Sequence, residues 1–184
     1  MHHSDKCGKT FNPVRSTLII LCYLGLIFAT SPIVPHFVFF LQQYGPLGRI
    51  VNVSISAFLT LAVLVAIIRS RYFHGLTALV FIPLAIITVW AMNYITLPIE
   101  RVHIIEYGIL SILLFRVCFH FTNPIYAAIQ SLFLATLAGC VDEGIQYFLP
   151  NRFFALGDIY LNVIGALAGL LYYGIYFWIR CSED

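Results

Sequence analysis

The chain has 184 residues, of which 61% are hydrophobic, 16% aromatic and only 10% charged, with a formal net charge of +2 at pH 7. A soluble domain of that length cannot bury so much apolar surface, and no basic stripe suited to nucleic acid runs through it, so a water-soluble fold and nucleic-acid binding are both excluded. Crossing the hydrocarbon takes about 20 apolar residues, which leaves room for about six passes. The expectation is therefore an all-α polytopic transmembrane helix bundle forming a single membrane domain over residues 1–184.

The first apolar stretch, Ser16 to Thr30, follows Lys6, Lys9 and Arg15 and ends near Ala29 and Ser31. It resembles a secretory signal as well as a first span, and is read here as a retained helix. Hydropathy places the spans near 16–34, 50–69, 75–95, 102–120, 124–148 and 158–180. The stretch from Ile33 to Gly48, with Pro32, Pro35 and Pro46 and the aromatic residues Phe37, Phe39 and Phe40, is neither a good span nor a plain loop. One reading lays it in the membrane interface as an amphipathic or re-entrant piece. Cys7, Cys22, Cys118, Cys140 and Cys181 show no CxxC pairing and read as packing or surface thiols, while His36, His74 and His120 fall at span ends as interfacial or solvated groups. Residues 16–95 carry no assignment beyond packing and placement.

Basic residues set the orientation. Lys6, Lys9, Arg15, Arg69, Arg71, Arg116 and Arg180 fall on the side of the N terminus, against Arg49, Arg101 and Arg152 opposite, which predicts N-in and C-in. The acids sort the other way: Glu100, Glu106, Asp142, Glu143 and Asp158 sit at the outer ends of the fourth, fifth and sixth spans, so any chemistry faces out.

Three distant segments thus bring polar groups to one membrane face. The fourth span opens with Glu100, Arg101, His103, Glu106 and Tyr107, of which Glu100, His103 and Tyr107 share a helix face. The fifth ends with Gly139, Glu143 and Gln146 on one face and Asp142 at its border. The sixth carries Asp158, Asn162, Gly165 and Gly169. A charge facing lipid at the helix centre costs about 2.5 to 3.5 kcal/mol on insertion scales, so these stripes are expected to face one another and line an outward cleft, with Glu143 and Asn162 deepest. Gly165 and Gly169 form a small-xxx-small face for close approach of another helix.

In the connection Leu149 to Gly157, Pro150 ends the fifth span and Asp158 is expected to cap the sixth. Arg152 then hangs over the mouth of the cleft, where a guanidinium suits a phosphate or carboxylate. The alternative pairs Arg152 with Asp142, Glu143 or Asp158 and makes it a neutralising group.

Arg-Val-His-Ile-Ile-Glu-Tyr-Gly at 101–108 resembles the first motif of the VanZ-like membrane proteins. Asp142-Glu143 with Gln146, then Pro150, Arg152, Asp158, Asn162 and Gly165, resembles the second in order and spacing. The resemblance covers about residues 98–172. It departs from the family pattern at Arg101 and Ile104, where lysine and phenylalanine are usual. It implies a multi-pass protein of the bacterial inner (cytoplasmic) membrane with an envelope connection, in a family named for a glycopeptide-resistance accessory, and it implies no mechanism.

Two functions follow as expectations. In the first, His103 as base and Glu143 as acid or orienting carboxylate do acid–base chemistry in a partly dehydrated cleft, with Arg152, Gln146, Asp158, Asn162, Glu106 and Tyr107 holding an anionic or lipid-linked envelope amphiphile. No nucleophile stands out: Ser111 and Cys118 lie deep in or beyond the fourth span, and Cys140 has no histidine nearby in sequence. A metal held by His103, Glu106, Glu143 and Asp158 lacks a motif such as HExxH, so neither metal nor other cofactor is expected. In the second, the chain is an accessory subunit of a membrane complex, and the polar cluster is a helix-packing network. Expected partners are membrane lipids and, in the second reading, other membrane proteins.

Overall fold

The structure, a computed structural model, describes residues 12–33, 36, 39–40, 53, 57, 98–149, 152 and 154–182. All regular structure among these residues is helical. By backbone contacts the chain divides into Met1–Val34 with Val102–Asp184, and Pro35–Arg101. Almost all of the latter, including the expected spans at 50–69 and 75–95 and most of the stretch 33–48, lies outside the described residues.

Four long helices are described: α1 (Pro13–Thr30), α2 (Pro98–Phe121), α3 (Pro124–Tyr147) and α4 (Leu156–Ser182). Each contains a segment long and apolar enough to cross a membrane: Pro13–Thr30, Val102–Phe121, Pro124–Tyr147 and Leu156–Phe177. At about 1.5 Å rise per residue, even the 18 residues of α1 approach the thickness of the hydrocarbon. The starts of α1 and α3 share a device. Asn12 and Asn123 accept the amides of Arg15 (3.1 Å) and Tyr126 (3.0 Å), and each is followed by a proline, whose missing N–H costs nothing in the first turn.

The surface is more apolar and the interior more polar than in a soluble bundle, although Ile27, Leu110 and Phe115 are buried as well. Large apolar side chains lie outside, with Ile125 72%, Phe133 66% and Leu171 56% exposed, while Asp142, Glu143, Gln146, Asn162, Ser111 and Ser131 are buried. Apolar outside and polar inside is the distribution that hydrocarbon solvent selects.

The backbones of α2 and α4 touch. A Cβ on Gly165 would lie 2.5 Å from the Ile104 carbonyl oxygen, and one on Gly169 would lie 2.2 Å from that of Gly108. Ser111 Oγ, donating to the carbonyl of Ala166 at 2.9 Å, ties the same two helices. Without a hydrophobic force between helices in lipid, close approach of small residues and an interhelical hydrogen bond are the available glue. Farther along, Phe115, Phe119, Tyr173 and Phe177 interlock edge to face, with Phe119 and Phe177 4.7 Å apart. On the other flank, Tyr23 of α1 donates to the Glu106 carbonyl at 3.2 Å.

Candidate functional site

Successive helices in the segment α2–α3–α4 run antiparallel, so the start of α2, the end of α3 and the start of α4 meet at one end of the bundle. Ser31, just beyond α1, lies near Asp142 there without forming a hydrogen bond to it. His103, Glu143 and Asp158, one residue from each of these helices, each offer a nitrogen or oxygen, and the three atoms lie within 4.8 Å of one another. His103 is 7% exposed and Glu143 fully buried, whereas Asp158 is half-buried. Glu106, three residues past His103, is not a member of this group; its main-chain carbonyl accepts the hydrogen bond from Tyr23.

A second chain of polar contacts runs beside the first. Arg152 Nη2 donates to Gln146 Oε1, and Gln146 Nε2 donates to Asp142 Oδ2 at 3.2 Å. Glu143 Oε2 accepts the Ala155 amide at 3.1 Å, so a carboxylate from α3 satisfies a backbone donor at the entrance to α4. This corrects the expectation that Asp158 caps that helix. Its own amide donates to the Ala155 carbonyl at 3.1 Å, which places it inside the first turn. Nor does Arg152 form an ion pair with Asp142, Glu143 or Asp158 among the described residues; its bond is to the neutral Gln146.

Many buried polar atoms here lack a hydrogen-bond partner: His103 Nδ1, Tyr107 Oη, Ser31 Oγ, Asp142 Oδ1, Glu143 Oε1, Arg152 Nε and both amide atoms of Asn162. Buried donors and acceptors are normally paired, and each orphan costs about 1 to 3 kcal/mol. These orphaned atoms concentrate at one end of the bundle. Asn162 lies one turn after Asp158 and packs on Gly139, where a Cβ would come within 2.9 Å of its Nδ2. That contact seats it one turn below Glu143 between α3 and α4. Tyr107 packs below His103, with ring centroids 6.3 Å apart, and faces Asp142 without closing a hydrogen bond of normal geometry.

The structure thus joins His103, Glu143 and Asp158 in one group and Arg152, Gln146 and Asp142 in another, with Asn162 and Tyr107 adjacent. Sequence reasoning passed over Ser31, whose only signal is its position directly after the first apolar stretch. It also passed over the Ala155 amide, which has none. Cys22, Cys118 and Cys140 are free thiols.

The family model described as VanZ/LLP1 matches residues 16–179. No curated protein and no solved structure matches the chain.

Proposed function

The chain belongs to the VanZ/LLP1 family of membrane-type proteins, and from that premise we propose that the polar end of its bundle is an outward-facing cleft for an anionic or lipid-linked envelope amphiphile. The observation that carries this reading is the set of orphaned polar atoms contributed by α2, α3, α4 and the connection before α4. A headgroup with phosphate or carboxylate oxygens satisfies donors such as Arg152 Nε, and its hydroxyls satisfy acceptors such as Asp142 Oδ1. Arg152 is the anchor, while Gln146 and Asp142 orient its guanidinium through the contacts described above. Asp158, Asn162, Glu106 and Tyr107 complete the lining. His103 and Glu143 are the acid–base pair in the event of turnover.

The setting proposed for this cleft is the bacterial inner membrane, with six spans and both termini in the cytoplasm. Spans at 50–69 and 75–95 would return the chain to the face where α1 ends and α2 begins, in keeping with the seven basic residues assigned to the opposite face. The family match runs through both contact units, which supports one membrane domain.

Native mass spectrometry of the protein extracted gently from its own membrane tests the proposal. The expected result is a lone chain carrying a phospholipid or lipid-linked sugar that is lost in Arg152→Ala. Recovery only inside a stoichiometric assembly without such a ligand favours the second reading, an accessory subunit. That reading draws its support from the fact that most of the largest fully buried side chains are polar, as in a packing network.

A further inference from the structure

We propose that His103, Glu143 and Asp158 form a binding site for a divalent transition-metal cation of the zinc type, clamping the ends of α2, α3 and α4. The donor set is one imidazole nitrogen and two carboxylate oxygens, a mixture that suits Zn2+ and its neighbours in the first transition row. Three protein ligands with room for a further one is the pattern of an open rather than a purely structural site. The mutual spacing of up to 4.8 Å exceeds the ~3.4 Å between ligands of a tetrahedral zinc centre, so binding requires the Glu143 and Asp158 side chains to turn toward the ion.

Charge and hydrogen bonding point the same way. Two carboxylates, one of them fully buried, sit together while the nearby guanidinium of Arg152 is engaged by Gln146. A dication neutralises such a pair, and without one their proximity is unfavourable. His103 Nδ1 and Glu143 Oε1 are buried without partners, whereas Glu143 Oε2 is held by the Ala155 amide. One oxygen is thus fixed by the backbone and the other left over, the arrangement by which an outer contact orients a metal ligand. Asn162 supplies an independent sign. Fully buried one turn after Asp158 and one turn below Glu143, with both amide atoms unpartnered, it is placed to bond a metal-bound water or an exogenous ligand. The site does not depend on amphiphile binding, but it replaces the acid–base roles of His103 and Glu143, whose donor atoms a bound cation would occupy.

The test uses the full chain, stripped with a chelator and titrated with Co2+, whose optical spectrum separates nitrogen and oxygen ligands from thiolates. His2→Ala and His3→Ala are introduced throughout to remove competing imidazoles. The expected result is one Co2+ per chain without a thiolate band, weakened at least about tenfold in Asp158→Asn and in His103→Gln and unchanged in Glu106→Gln. The melting temperature should rise with Co2+ in the parent and not in Asp158→Asn. Asp158 is half-buried in the first turn of α4, so its variant reads the site even where His103→Gln fails to fold. Absence of stoichiometric binding, thiolate ligation, or equal affinity in parent and Asp158→Asn would overturn the proposal, as would an equal loss in Glu106→Gln.

Discussion

The two oxygens of Glu143 do different things: one accepts the Ala155 amide at 3.1 Å and the other has no partner. Glutamine at this position keeps a carbonyl oxygen for the amide and gives up the charge; alanine strands the donor. Glu143→Gln should therefore remain within about 1 kcal/mol of the parent in stability, whereas Glu143→Ala should lose about 1 to 3 kcal/mol more, as read by equilibrium unfolding in detergent. The reverse order would remove the hydrogen bond from the account. If the site turns over a substrate, Glu143→Gln and His103→Ala should both abolish activity with the fold retained. Arg152 makes a contrasting case, since its bond to Gln146 lies in a connection rather than a helix. Arg152→Ala should lower amphiphile occupancy about 10- to 100-fold, the worth of a charge-assisted hydrogen bond, and barely shift the melting temperature. At this scale the sequence was informative about which residues face inward, because ionisable and amide groups in a membrane helix have few other places to go. It could not reveal that Glu143 rather than Asp158 serves the entrance of α4. The choice depends on where the end of α3 lies in space, and the two residues are fifteen apart.

Among the helices, glycine positions separate packing from composition. Gly144 has nothing within 4 Å of a built Cβ, whereas Gly165 would thrust one to 2.5 Å from the Ile104 carbonyl, a backbone atom that cannot turn away. Gly144→Ala should be neutral or stabilising by at most ~1 kcal/mol, and Gly165→Ala destabilising by about 1 to 3 kcal/mol through enforced separation of α2 and α4. Thermal unfolding of the two variants side by side checks the contrast, and equal effects would contradict the backbone contact. Ser111→Ala should cost about 0.6 kcal/mol, the average for an interhelical hydrogen bond in a membrane. Helix positions were legible to within a few residues: spans expected at 102–120, 124–148 and 158–180 appear as Pro98–Phe121, Pro124–Tyr147 and Leu156–Ser182. Apolar runs, the Asn123-Pro124 start and Pro150 bound them locally. Partner choice was less legible. The small-residue face of Gly165 and Gly169 announced a close neighbour, but only the structure names α2, through Ile104 and Gly108.

For the whole molecule, the arrangement of α1 to α4 gathers the polar residues of three helices at one end, while the start of α1 and the close of α4 lie at the other. A ligand from the outer leaflet or the space beyond it can reach that end only if it faces out, so orientation is the claim on which the functional reading rests. Basic residues argue for it, since seven of ten fall on the opposite side in the proposed six-span arrangement. The sequence carried this signal because insertion reads charge directly. It left open which acids meet, which needed the antiparallel register of α2, α3 and α4.

The most direct test places a single cysteine at Phe154, 44% exposed in the connection between α3 and α4, in a chain whose five natural cysteines are replaced by serine. Intact cells are then treated with a membrane-impermeant maleimide. An outward site predicts labelling of intact cells to nearly the level reached after permeabilisation. Labelling only after permeabilisation would put the polar end in the cytoplasm and contradict the account of an envelope-facing cleft.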